Sequence, residues 1–446
     1  MHSQSNQNNM RNLITTNRFV ALLLCSTFAF FCSPASGQDG QFPATLPLQE
    51  QALSSELPKQ FNDAQDSEKS FLEIVADIRT NEAEINRLYS SIPIGFPEAQ
   101  KEHMVRIDAL RTSNKQLKGQ MKDAALRSYL ADPAGNPEAA QIVFGLVINK
   151  LDGKGDGMHF DPQGALRVAL EMLKTTRPNA ENPGGIDYNS VAYQAFRASF
   201  AIQDFDRAEL LLQKIEATGI QLDSRIKKKL DVAKVKWQRE LMIRRLETNT
   251  NDLPQIRFQT TEGNFVVELF ENHAPQTVGN FINLVEKQYY DDQAFFLVEP
   301  GEFSRSGCRL GTGKSDAGYQ IPCECNREEI RHHFAGTLSM YNDGLDTGSS
   351  QFFISHQPNA GFDGNYTAFG RVTEGLDVVF RLQSCDATSY AVNPENASKI
   401  IRTEVLRKRS HEYAPSRIAK KPGDKVGDTR SRSNSPLQTV QGKPGG

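Results

Sequence analysis

The hydrophobic period changes once along this chain, at Asn249–Pro254, and what can fold differs on the two sides. Before it, apolar residues recur every three to four positions. Phe71, Ile74, Val75, Ile78, Ile85, Leu88 and Tyr89 fall on one helical face. Ser91–Pro97 breaks the pattern, and Ile107, Leu110, Leu117, Met121 and Ala124 then form a heptad-like stripe with polar Asn114 inside it. Two long amphipathic helices around a Pro/Gly turn make an antiparallel hairpin. Further helices are expected over Pro137–Asn149, Pro162–Lys174 and Leu222–Glu247. Tyr193–Gly219 reads as helix, turn, helix, similar to a single tetratricopeptide-like pair. After Pro254 the apolar runs shorten. Ile256–Thr260 and Phe265–Phe270 flank Thr261-Glu-Gly-Asn264, a hairpin pattern. Short strands follow at Gly336–Met340, Gln351–Ser355, Thr367–Val372 and Ser398–Leu406. Helices are expected from Ala274 and over Gly375–Gln383. Many short strands with two helices predict a closed β-barrel capped by helices.

The 446 residues carry 51 Lys+Arg against 54 Asp+Glu, a net charge of −3. That balance excludes nucleic-acid binding driven by global positive charge. The one long apolar run, Phe19–Cys32, is shorter than the about 20 residues a membrane span needs. Arg11 and Arg18 precede it, and small Ala35 and Gly37 follow. This predicts a signal peptide over residues 1–37, cleaved near 35–37, and an exported protein, periplasmic or secreted, with no membrane span after cleavage. Residues 38–66 read as a disordered linker, 67–248 as the α-helical region and 409–446 as a disordered, apolar-poor tail. Cleavage leaves Cys308, Cys323, Cys325 and Cys385. Four cysteines allow three full pairings, among which sequence does not choose; residues at i and i+2 are tightly tethered, so Cys323 and Cys325 are unexpected partners for each other. Export and the placing of the cysteines around one long loop motivate an expected bridge from Cys308 to Cys323 or Cys325. Cys323-Glu-Cys325 with His332 and His333 fits no standard zinc spacing, so no metal is expected.

Three segments carry a resemblance: GNFVVELFENHAPQTVGNFINLV (263–285), GTLSMYNDGLDTGSSQFFIS (336–355) and FDGNYTAFGRVTEGLDVV (362–379). Over residues 255–408, roughly a third of the chain, the sequence resembles the cyclophilin-type peptidyl-prolyl cis-trans isomerases. The resemblance implies a closed eight-stranded antiparallel β-barrel with two helices and a groove for proline-containing segments. It implies no cofactor. Asn342, Gln351 and Phe353 match the family's substrate-binding positions, and Phe303, Phe362 and Tyr366 occupy others with changed side chains.

The reaction needs neither nucleophile nor metal. Rotation about a peptide bond faces a barrier of about 18–20 kcal/mol, lower for X-Pro. It speeds up when the twisted amide is gripped better than either planar form. In the family an arginine donates to the amide nitrogen; here Leu297 stands at that position and cannot donate. Glu302 replaces an aromatic, Gly361 a tryptophan, and Arg305 stands where the family has glutamine. Two readings follow. The chain is an isomerase of X-Pro bonds in exported proteins, at reduced rate, with Arg305 as the substitute donor. Alternatively it is an inactive peptide-binding or scaffold barrel, Arg305 being a surface residue paired with Glu302. The helical half is a candidate surface for a protein partner.

Overall fold

The computed structural model describes residues 69–92, 97–154, 159–383 and 397–419. The expected signal peptide, the linker, Cys385 and the end of the tail lie outside these residues. Among the described residues no helix is long and apolar enough to cross a membrane. Contacts divide the chain into two units. One is Met1–Ile148, Arg167–Val191 and Ala217–Ile220; the other is Asn149–Leu166, Ala192–Glu216 and Gln221–Gly446.

In the first unit, helix α1 (Phe71–Ser90) packs on helix α2 (Pro97–Ala131) as the expected hairpin. Ser70 and Glu73 close a capping box at the start of α1, satisfying two backbone donors that a bare helix end leaves unpaired. Leu88, Ile107 and Leu110 make the buried seam. The polar Asn114 inside the stripe accepts from Asn81 Nδ2 at 2.8 Å. The remaining helices of the region are α3 (Pro137–Asp152), α4 (Pro162–Thr175), α5 (Tyr188–Ala201), α6 (Phe205–Glu216) and α7 (Ser224–Thr250). Asp223 caps the start of α7, and Asn251, in the left-handed conformation, ends it.

The second unit contains the sheet. Its strands are β1 (Gln255–Thr260), β2 (Gly263–Leu269), β3 (Leu297–Glu299), β4 (Phe303–Ser306), β5 (Thr337–Met340), β6 (Phe352–Ser355), β7 (Thr367–Glu374) and β8 (Ile400–Arg407). All pairings are antiparallel, in the order β3-β4-β6-β5-β7-β2-β1-β8. The expected closed barrel is corrected: the sheet is open. Edge strands β3 and β8 share no ladder, and their ends meet at the isolated bridge Ala294–Lys399. With only three residues, β3 has too little backbone to extend that bridge into a ladder. Helices α8 (Pro275–Glu286) and α9 (Leu376–Arg381) lie against the sheet.

Strand alternation sorts the side chains. Ile256, Phe258, Phe265, Val267, Phe352 and Ile354 enter one core with Phe281 of α8, where Phe258 and Phe265 stack at 4.6 Å. Tyr413 joins this core, its hydroxyl donating to Glu271 at 2.9 Å, and Ile418 bridges Gln320. These contacts fall within the first residues of the stretch read as a tail; the described residues end at 419.

The second unit also includes α7. Along one stripe of that helix, Leu230, Ala233, Glu240 and Glu247 are buried. Two of them are acids, and the sheet domain supplies their cations. Arg331 donates to Glu240 through Nε at 2.9 Å and Nη2 at 2.7 Å, and also bonds Glu247. Arg371 joins Glu247 at 2.9 Å to Glu268 at 2.6 Å. The Arg331 guanidinium lies 3.6 Å from the Phe270 ring centre. Trp237 of α7 meets Phe334 edge-on at 4.7 Å. Burial alone would raise the Glu240 carboxyl. Arg331 and Arg244 outweigh it and hold the carboxyl at about 2.

Candidate active site

The hairpin β3–β4 places the altered residues. Its register pairs Leu297 with Arg305 and Glu299 with Phe303; β4 in turn pairs Arg305 with Phe353 of β6. Directly opposed residues share a face. Leu297, Phe303, Arg305 and Phe353 thus stand on one side of the sheet, while Val298, Phe352 and Ile354 enter the core on the other. After β4 the chain turns at Gly307, φ +89°, so close to β6 that a Cβ would lie 2.2 Å from the Ser350 carbonyl oxygen. Only glycine fits there.

Phe303, Phe353, Phe362 and Tyr366 form a separate apolar cluster, with Leu297 and Tyr341 packed against it. Phe353 meets Phe362 and Tyr366 edge-on, each at 5.2 Å. All four of the expected apolar site residues are therefore together. Gln351 stands at the edge of this group with its orientation fixed. Its Nε2 donates to the carbonyls of Gly313 and Ser315, both at 2.9 Å. Its Oε1 is thereby turned to accept from Arg305 Nη2 at 2.6 Å. Asn342 is committed elsewhere, donating to the Asn365 carbonyl at 2.9 Å and accepting from Gly344 N–H at 3.1 Å. It ties together the two loops that carry Tyr341 and Tyr366.

Arg305 is not the exposed partner of Glu302 that one reading allowed. It is 1% exposed, and Glu302 accepts from Gln357 instead. The β-strand points Arg305 inward, where its guanidinium carbon sits 3.1 Å from the Tyr341 ring centre and 5.3 Å from that of Phe296. These ring faces compensate part of the lost hydration. Burial pushes the Arg305 guanidinium down and the Tyr341 hydroxyl up to about 12, so the first remains a cation and the second neutral. Among the described residues Arg305 Nε has no hydrogen-bond partner. A buried guanidinium N–H left unpaired is costly, and it is a donor held ready for an acceptor.

The cysteines correct a second expectation. Cys323 is bridged to Cys325, and among the described residues Cys308 is a free, buried thiol. The bend at Glu324 sets the two Cα atoms 5.6 Å apart, inside the ordinary range for a disulfide. Glu324 itself turns inward to accept from the Gln276 and Thr277 backbone N–H groups at the start of α8, at 3.2 and 2.9 Å. Cys308 instead contacts the Ser315 hydroxyl at 3.1 Å.

Sequence reasoning missed Tyr341 and Asp363, and weighed His333 only as a metal ligand. Asp363 accepts from the His333 backbone N–H at 2.9 Å, contacts His333 Nδ1 at 2.8 Å and pairs with Lys236 at 2.6 Å. The His333 ring stacks on Phe353 and meets Phe362 edge-on. The acids Glu240 and Glu247 on the buried stripe of α7 are the one available sign that this helix meets cations.

Residues 255–405 match the family described as cyclophilin type peptidyl-prolyl cis-trans isomerase/CLD. The peptidyl-prolyl cis-trans isomerase of Synechococcus elongatus is 43% identical over 136 residues, covering 30% of this chain and 92% of that protein. Peptidyl-prolyl cis-trans isomerase B of Bacillus subtilis is 42% identical over 130 residues, covering 29% and 90%. A crystal structure of a Cryptosporidium parvum cyclophilin type isomerase, determined in the presence of the dipeptide Ala-Pro, aligns at 25% identity. It covers 34% of this chain and 99% of that one, with a TM-score of 0.32. With nine-tenths of the bacterial enzymes' own lengths matched at over 40% identity, this chain belongs to the cyclophilin-type peptidyl-prolyl cis-trans isomerase family.

Proposed function

We propose that this chain is a peptidyl-prolyl isomerase acting on X-Pro bonds of exported proteins, at reduced rate, with Arg305 serving where Leu297 cannot. The observation that carries this reading is the Arg305–Gln351 hydrogen bond at 2.6 Å beside the aromatic cluster. The cluster supplies an apolar seat for a proline ring, and Arg305 is the cation at its edge. Isomerisation requires that the nitrogen lone pair leave amide resonance. An N–H aimed at that nitrogen in the twisted state binds it better than the planar state. Arg305 Nε is such a donor, unpaired before substrate arrives. The reduced rate follows from the cover over it: the Tyr341 ring lies on the guanidinium and must shift before an amide can reach it. Export is supported by the Phe19–Cys32 run and its flanks.

The same cover favours the second reading, a barrel that holds proline-containing segments without turning them over. Exchange NMR on an Ala-Pro peptide separates the two. The wild-type chain is expected to accelerate cis–trans exchange measurably. Arg305→Gln, which keeps a polar partner for Gln351, should lower kcat/KM at least about tenfold with peptide affinity changed less than about threefold. No acceleration by the wild type, with the peptide bound, selects the second reading.

A further inference from the structure

We propose that Asp363 is a positioning residue that ties helix α7 to the proline pocket, so that peptide binding and the state of α7 are coupled through Lys236. The proposal rests on reading the aromatic cluster as the proline-binding pocket.

Asp363 follows Phe362, which forms one wall of the cluster. Its Oδ1 accepts from the backbone N–H of His333 at 2.9 Å and contacts His333 Nδ1 at 2.8 Å. Its Oδ2 accepts from Lys236 Nζ at 2.6 Å and lies 3.2 Å from His332 Nδ1. The loop is held on His333 a second time, because Asn359 N–H donates to the His333 carbonyl at 3.1 Å. Phe362 and Tyr366 then hang on that loop, Tyr366 N–H donating to the Phe362 carbonyl at 3.0 Å. The His333 ring, lying against Phe353 and Phe362, supports the cluster from behind. One carboxylate therefore fixes both the loop wall and the histidine that backs the strand wall.

The far side of the tie is α7. Lys236 holds the carboxylate, and the next residue, Trp237, packs edge-on to Phe334, the residue after His333. Two adjacent residues of one helix thus grip two adjacent groups behind the pocket. Burial would raise the Asp363 carboxyl, but the His332, His333 and Lys236 contacts hold it well below the ordinary range, so it stays an anion. A buried anion keeps its geometry only while its donors are in place. Loss of Lys236 frees the loop to relax, and a peptide must then reorder Phe362 and Tyr366 at its own cost.

The chain has a single tryptophan, so the coupling can be read at Trp237. Titrating the full chain with an Ala-Pro peptide, by fluorescence polarisation of labelled peptide and by Trp emission, should give one Kd from both signals. Lys236→Met should weaken binding about five- to tenfold, raise KM with kcat nearly unchanged, and abolish the Trp response. Lys236→Arg, which keeps a cation on Asp363, should restore all three. Peptide binding with silent Trp237 and an unchanged Kd in Lys236→Met would overturn the tie alone. Absence of any peptide binding by the wild type would overturn the pocket reading and the tie with it.

Discussion

Glu240→Ala should cost the protein about 3–5 kcal/mol of stability, the cost of leaving a buried cation uncompensated. Arg331 has a side chain 0% exposed, and Glu240 takes two of its N–H groups. Alanine cannot accept them, and no solvent reaches the guanidinium. Glu247 remains, but it already serves Arg371 at 2.9 Å. Thermal unfolding of the second unit's transition should fall by roughly 10 °C. Pairing the change with Arg331→Met should recover much of the loss, because removing both charges removes the desolvation cost as well. A loss under about 1 kcal/mol for Glu240→Ala alone would show that α7 is not docked through these charges. By the same argument, residues 255–408 expressed alone should unfold less cooperatively than a fragment beginning at residue 221, which keeps α7.

The largest expected gain in activity comes from Leu297→Arg combined with Arg305→Gln. The first change restores a donor at the position the family uses, and the second removes a competing cation directly opposite it in the β3–β4 register. Either change alone is compromised: Leu297→Arg by itself sets two guanidinium groups on paired positions of one face. Together they should raise kcat/KM for an Ala-Pro peptide by about ten- to a hundredfold, the value of one charge-assisted hydrogen bond made in the transition state. Loss of activity in the double variant, with the fold intact, would mean that position 297 does not face the reacting amide in this chain.

Much of this architecture could be read from residues. The turn Thr261–Glu262 and the alternation of Ile256 and Phe258 fixed the first hairpin, because a period of two leaves one face for the core. Phe303, Phe353, Phe362 and Tyr366 could be placed in one site through the resemblance. Strand β3 escaped because three residues are too few to show a period, and β4 because its buried Ser304, Arg305 and Ser306 are polar or charged and do not read as a strand. The orientation of Arg305 escaped for another reason. An arginine in sequence reads as a surface residue, and nothing local says that Tyr341, a residue of a different strand's end, will cover it. The Cys323–Cys325 bridge depended on a bend at Glu324 that composition does not encode. Docking of α7 was missed because Glu240 and Glu247 look like ordinary helix-surface acids until Arg331 and Arg371 are brought to them from over 80 residues away.

The central claim is that the donor for the proline amide comes from Arg305 on β4. Its Nε–H gives a distinct two-dimensional 1H–15N NMR signal, assignable by its loss in Arg305→Gln. On titration with an Ala-Pro peptide this signal should move with the saturation curve of the pocket aromatics Phe353 and Tyr366, as the unpaired N–H gains an acceptor. A signal that stays in place while those rings respond to bound peptide would contradict the assignment of Arg305 as the donor.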